Sequence, residues 1–157
     1  MVVYDEDFRF LKIMVPTSGP VPALQNAEYI LNIAKKLHAE ALIVHIRDKG
    51  EAREGDLALD IFDKFSKQLG VKVQLKPAIG EVSQTIIEIA KFENVDLIIM
   101  GATEGRNVST WIIDKIINKT DIPVVLIPWK YDKQIYKETI TDAPFRKPKT
   151  QQDPMGQ

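Results

Sequence analysis

The chain has 157 residues, 45% of them hydrophobic and 27% charged, which is typical of a globular domain and excludes a wholly disordered chain. Its net charge of −1 gives no long-range field, so we expect neither nucleic acid nor an anionic membrane as a partner. The absence of cysteine excludes disulfides, thiolate metal sites and thiol catalysis. Since no apolar run approaches ~20 residues and the acidic start does not resemble a signal peptide, we expect no membrane insertion and a cytoplasmic protein.

The first half of the chain alternates short apolar runs with longer amphipathic segments. A run that ends before Pro16 predicts a strand, and Pro22 followed by apolar residues at spacings of three and four predicts a helix. A second apolar run is followed by apolar residues that step by four, and Gly70 is placed to end that helix. The predicted elements are a strand at 11–15, a helix over 22–38, a strand at 41–46 and a helix over 57–69.

The second half continues the alternation. Apolar and polar residues alternate over 71–75, as in a half-exposed strand, and Pro77 to Gly80 predicts a turn that ends it. The run at 96–100 is the most apolar, which is typical of a central strand covered on both faces. The predicted elements are a strand at 71–75, a helix over 82–90, a strand at 96–100, a helix over 107–119 and a strand at 124–127.

This βαβαβαβαβ order predicts the α/β class, with a parallel sheet and helices on both faces. Ligands of such sheets bind beyond the carboxyl ends of the strands, which here are Pro16 to Ser18, His45–Ile46 and Met100–Gly101. We expect His45 to be structural, because it has no cysteine partner and no carboxylate at metal spacing. No hydrolase or metalloprotease motif is present, so we predict no catalytic residue, no metal site and no enzyme.

Beyond Pro128 the chain becomes polar and contains further prolines. We therefore divide it into a domain over residues 1–130 and a C-terminal extension over 131–157. Apolar residues such as Trp129 and Phe145 leave two interpretations open. The extension is either loosely ordered or an arm that packs on this subunit or on a partner.

Several segments in register resemble the universal stress protein family over about residues 9–130. They are LKIMVPTSGPVPAL (11–24), LIVHI (42–46), Gly80 after the third strand, VDLIIMG (95–101) and DIPVVLIP (121–128). The resemblance implies a Rossmann-like, five-stranded parallel sheet with strand order 3-2-1-4-5. It also implies a homodimer, which we expect to form through the apolar strand 124–127.

Family members that bind ATP carry an aspartate after the first strand and a glycine-rich loop with a Gly-Ser pair after the fourth. This chain has Ser18 at the first position, glycines 101 and 105 four apart, and Trp111 in place of a small residue. The resemblance therefore implies a degraded nucleotide site. The candidate ligand-binding residues are Pro16, Thr17, Ser18, Ile46, Gly101, Thr103, Gly105, Arg106, Ser109 and Thr110.

Three functions follow as alternatives from this resemblance. The first is a dimeric, non-catalytic regulatory or stress-response module. The second is a switch that binds ATP or AMP, with Mg²⁺, through the loop after the fourth strand. The third is a partner module for a transporter or another stress protein.

Overall fold

A computed structural model describes residues 10–47, 49, 56–102 and 107–128. Within these residues nine elements alternate in the order that the sequence pattern predicts. The strands are β1 (Lys12–Thr17), β2 (Glu40–Arg47), β3 (Val73–Ile79), β4 (Leu97–Gly101) and β5 (Val124–Ile127). The helices are α1 (Pro20–Leu37), α2 (Asp56–Leu69), α3 (Val82–Phe92) and α4 (Asn107–Lys119).

The five strands form one parallel sheet in the order β3-β2-β1-β4-β5, which confirms the expected topology. Successive side chains of a strand point to opposite faces. In β4, Ile99 therefore packs in the apolar cluster beneath α1 and α2, whereas Ile98 packs in the cluster beneath α3 and α4. Both side chains are fully buried, which confirms that this strand is covered on both faces.

Helix α1 begins two residues before the predicted start. Small buried side chains on one face, among them Ala23, Ala27 and Ala34, allow it to lie close to the sheet. The helix ends at His38, whose backbone is left-handed with a φ of 54°. Its side chain thus stands at the negative end of the helix dipole.

Helix α2 ends at Gly70, as predicted. The φ of Gly70 is 72°, a left-handed conformation that glycine adopts without a steric penalty. The amide of Val71 donates to the carbonyl of Ser66 at 3.0 Å, which is the six-to-one hydrogen bond of a Schellman motif. This cap turns the chain into β3.

The predicted end of the third strand was wrong. Residues 77–79 continue β3 instead of forming a turn, and Pro77 lies opposite His45 of β2. The amide of Ala41 in β2 donates to the carbonyl of Lys72, and the amide of Gly80 donates to the carbonyl of Arg47 in β2. The even-numbered residues along β3 therefore direct their backbone groups toward β2. The backbone of Pro77 consequently faces the outer edge, where its missing amide proton breaks no hydrogen bond of the sheet. The first strand likewise extends past Pro16 to Thr17.

The amino ends of β1 and β4 are joined by Asp96. Its Oδ2 accepts hydrogen bonds from the backbone amides of Leu11 and Lys12, both at 2.9 Å. The Nζ of Lys12 donates to Oε1 of Glu93 at 2.6 Å, and this contact lowers the pKa of the Glu93 carboxyl below its ordinary value.

Among the described helices, none is both long enough and apolar enough to cross a bilayer.

Candidate ligand-binding site

A cavity of about 250 Å³ lies at the carboxyl edge of the sheet, on the face that α3 and α4 cover. It occupies the place where the ends of β1, β2 and β4 meet, as expected for a ligand site in an open α/β sheet. Its lining residues are Pro16, Thr17, Ser18, His45, Ile46, Val82, Ile86, Met100, Gly101, Ser109 and Ile112.

The structure brings most of the described candidate residues together at this cavity. Thr110 is exposed and does not line it. Thr103, Gly105 and Arg106 lie outside the described residues. The candidates that line the cavity are Pro16, Thr17, Ser18, Ile46, Gly101 and Ser109. Their contact with a ligand stays a prediction.

Sequence reasoning missed the apolar wall of the cavity. Val82 and Ile86 of α3, Met100 of β4 and Ile112 of α4 supply that wall. The helical period marks Ile86 and Ile112 as core positions, and both are buried. The pattern carries no signal that separates a core side chain from one that lines a cavity, because both are apolar and both face the sheet.

His45 joins the ends of β1 and β2. Its Nδ1 lies 2.9 Å from the carbonyl oxygen of Thr17, and only 6% of the residue is exposed. Because a carbonyl can only accept, the ring must carry its proton on Nδ1. The imidazole is thus a structural link, in agreement with the expectation from sequence. In the described ranges no group of three or more histidine, aspartate or glutamate side chains is placed to hold a metal ion.

The amino end of α3 is occupied by the protein's own carboxylate. Glu81 accepts hydrogen bonds from the amide of Gln84 at 2.8 Å and from the amide of Ser83 at 3.2 Å. The bond from Gln84 is the main reason that the pKa of Glu81 lies below its ordinary value. Since Val82 lines the cavity, this negative charge stands next to its rim.

The amino end of α1 has few free backbone donors. Helix N-termini bind anions through amides that have no partner within the helix. Pro20 and Pro22 have no amide proton, and the amide of Ala23 already donates to the carbonyl of Gly19 at 3.2 Å. Val21 is therefore the one residue of the first three helical positions that offers an amide.

A second cavity of about 20 Å³ lies on the opposite face, between α1 and the ends of β1 and β4. Its wall includes Asn26, which is 3% exposed and whose Oδ1 has no hydrogen-bond partner among the described residues. A Cβ atom built on Gly101 would lie 2.5 Å from Nδ2 of Asn26. The close approach of α1 thus favours glycine where β4 ends. The volume of this cavity is enough for a single water molecule.

A family model, described as the universal stress protein family, matches residues 9–128. The chain belongs to the universal stress protein family. A universal stress protein of Methanocaldococcus jannaschii is 25% identical to it, with 75% of this chain and 82% of that protein covered.

The solved structures that resemble this fold include two with a bound nucleotide. One is a universal stress protein in complex with cAMP, with a TM-score of 0.66 and 15% identity, covering 78% of this chain and all of that one. The other is a universal stress protein family protein from Arabidopsis thaliana with AMP bound, with a TM-score of 0.59 and 15% identity, covering 87% of this chain and 99% of that one. At this identity the likeness shows the fold.

Proposed function

We propose that this protein is a dimeric, non-catalytic regulatory module that binds an adenine nucleoside or nucleotide in the cavity at the carboxyl edge. The observation that carries the proposal is the cavity itself, since it lies between the ends of β1, β2 and β4 and is lined by six of the candidate residues. Structures of similar fold hold cAMP and AMP, which supports an adenine ligand.

The shape and chemistry of the wall favour a planar apolar group with a few polar atoms. Ile46, Val82 and Ile86 offer apolar surface against which a base can pack, and Ser18 and Ser109 offer hydroxyl groups. Ile46 lies one residue beyond the last pair between β1 and β2, Thr17 with His45. In β2 the even-numbered residues direct their amide and carbonyl groups toward β1, as Glu40 does toward Leu11. The backbone groups of Ile46 therefore lie on the β1 side and can hydrogen-bond the edge of a base, whatever the side chain is.

The described lining offers little for acid–base chemistry. Its one side chain of a type that commonly serves in acid–base catalysis is the imidazole of His45, and the Nδ1 of that ring is committed to the carbonyl of Thr17. General acid–base catalysis needs a titratable group within hydrogen-bond reach of the reacting atom. We therefore propose that the ligand acts as a signal and is not turned over.

Strand β5 supports the dimer. It lies at one edge of the sheet, and Val125 and Leu126 are 40% and 39% exposed. Among the described strands it pairs only with β4, so its outer backbone groups are available to a second copy. Pairing of two β5 strands about a two-fold axis would satisfy those groups and cover both side chains.

The test of the ligand is a calorimetric titration of the purified full chain with AMP, after removal of any nucleotide that co-purifies. Val82→Trp places an indole at the rim of the cavity, and we expect it to weaken AMP binding at least about tenfold. The matched control is Val21→Trp, which makes the same substitution at the start of another helix. Val21 is 58% exposed and lines neither cavity.

We expect the parent protein and Val21→Trp to bind AMP with the same dissociation constant, in the micromolar range. Two results would contradict the proposal. One is the absence of heat and of thermal stabilisation up to millimolar AMP. The other is unchanged binding by Val82→Trp, which would place the ligand elsewhere on the protein.

A further inference from the structure

We propose that the chain's own C-terminal segment, residues 129–140, packs on an apolar groove between the outer flank of α1 and the edge strand β5. This edge groove is formed by exposed apolar side chains of both elements, which are Val21, Leu24 and Val125. The inference does not depend on the ligand of the larger cavity, because that cavity lies on the opposite face of the sheet.

Strand β5 lacks the cover that the other strands have on this face. Among the described helices, α1 lies against β1, β2 and β4, and α2 lies against β2 and β3. Side chains alternate along a strand, and Ile127 packs in the cluster beneath α1, so Val125 points to the same face. Ile99, beside it in register, is fully buried, whereas Val125 is 40% exposed.

Leu24 of α1 faces this uncovered strand. Asn26 and Phe62 of α2 line the same small cavity, so Asn26 marks the flank of α1 that faces α2. Two residues of a helix turn by about 200°, which puts Leu24 on the opposite flank. That flank faces β5, because β5 and the strands that α2 covers lie on opposite sides of β1. Leu24 is 60% exposed, and Val21, about one turn earlier, is 58% exposed.

The C-terminal segment begins beside the edge groove. Strand β5 ends at the carboxyl edge of the sheet, and α1 begins at the same edge, directly after β1. Val125 lies three residues before Pro128, which is roughly 10 Å along the strand. The twelve residues of 129–140 span roughly 18 Å even in a helix. They are therefore long enough to turn back at Pro128 and cross Val125.

The composition of the segment suits an apolar surface. Chains that remain solvated carry few aromatic and β-branched residues. Residues 141–157 have that character, with three prolines and few large apolar side chains. Residues 129–140 differ from them in being rich in aromatic side chains and isoleucine, namely Trp129, Tyr131, Ile135, Tyr136 and Ile140. This contrast identifies 129–140 as the part that packs.

The segment and the proposed dimer are compatible. Pairing of two β5 strands uses the backbone groups at the outer edge of the strand, whereas the segment packs on one face of it. A second copy beside β5 would cover Val125 and Leu126 alike. The segment would cover Val125 alone, because the two side chains point to opposite faces of the sheet.

Single thiols can report on each face, because the chain contains no cysteine. Val125→Cys and Leu126→Cys are matched, since the two residues are 40% and 39% exposed. The rate of labelling by a maleimide is measured for each thiol in the full chain, with and without the double substitution Ile135→Ser and Tyr136→Ser. We expect the double substitution to raise the rate for Val125→Cys at least about tenfold, because it removes two large apolar side chains from the contact. The rate for Leu126→Cys should not change.

Controls separate the groove from the rest of the surface. Leu24→Ser removes an apolar side chain from the wall of the groove and should also raise the labelling rate of Val125→Cys. Leu57→Ser should not, although Leu57 is a similarly exposed leucine at the start of the neighbouring helix α2. Met155→Ser changes an apolar side chain outside the segment and should likewise have no effect.

Three results would overturn the proposal. The first is an unchanged labelling rate of Val125→Cys in the double variant. The second is an equal rise in the rates of both thiols. The third is a difference between the two thiols that grows with protein concentration, because it would assign the cover of Val125 to a second copy.

Discussion

Gly101→Ala probes the contact between α1 and the end of β4. A Cβ at this position would lie 2.5 Å from Nδ2 of Asn26, about 0.9 Å short of the 3.4 Å at which ordinary contact begins. Gly101 is not among the positive-φ residues, so alanine can adopt its backbone and the effect is steric. Overpacking of this kind costs about 1–3 kcal/mol. The smaller entropy of the unfolded alanine chain offsets about 0.4–1 kcal/mol of that.

The partner substitution, Asn26→Ala, relieves the same contact. Burial of an unpartnered polar atom costs about 1–3 kcal/mol, and Oδ1 of Asn26 is such an atom. Removal of this atom offsets the packing that is lost with the rest of the amide. We therefore expect the free energy of unfolding of Asn26→Ala to lie within about 1 kcal/mol of that of the parent protein. In the double variant the new methyl group meets no amide. We therefore expect its stability to match that of Asn26→Ala, with a coupling of about 1 kcal/mol or more.

Urea denaturation of the four proteins, followed by circular dichroism, measures the cycle. Gly101→Ala alone should also lower the melting temperature by about 2–4 °C per kcal/mol, the response of a domain of this size. Free energies that add within about 0.5 kcal/mol would refute the reasoning, because they would show that residues 26 and 101 do not press on each other.

Three further predictions concern other parts of the molecule. Glu81 has a lowered pKa, so its contribution to stability is present above the unfolded value of 4.5 and disappears as the pH falls through the folded value. Glu81→Gln should therefore reduce the free energy of unfolding at neutral pH by about 0.5 kcal/mol, a small figure because the group is exposed, and this loss should vanish once the pH lies below the folded pKa. Asp96→Ala removes the acceptor of two backbone amides and should cost about 1–3 kcal/mol in denaturation. Leu126→Asp on β5 should convert the proposed dimer to a monomer in sedimentation analysis, whereas an unchanged dimeric mass would exclude β5 as the interface.

The alternation of strands and helices could be predicted because the residues of this chain agree at every level, whereas the strand order was implied by the resemblance to the universal stress protein family. Apolar runs, helical periods and Gly70 each indicate the same element boundaries, which the structure places within a few residues of the predicted ones. The exception is Pro77. A proline after an alternating run is typical of a turn, and the sequence cannot show that β3 lies at an edge with Pro77 on its outer side.

The candidate site was predicted less completely. Residues at the strand ends, such as Ser18 and Gly101, could be predicted to line the cavity, because parallel topology brings these ends to one edge of the sheet. The wall from α3 and α4 could not be predicted, since Ile86 has the spacing of an ordinary core residue. Glu81 and Pro20 are visible in the sequence at the starts of two helices. Their effect on a ligand depends on where those helices begin in space, which the sequence does not show.

The two edges of the sheet are unequal, and this determines how copies of the chain can assemble. If β5 of one molecule paired with β3 of the next, every addition would expose a new edge and growth would continue without limit. Pro77 lacks the amide proton on the outer side of β3 that such an addition would require. Pairing is then favourable only between two β5 edges, and such a contact is complete once formed. One proline thus favours a closed pair over a fibre.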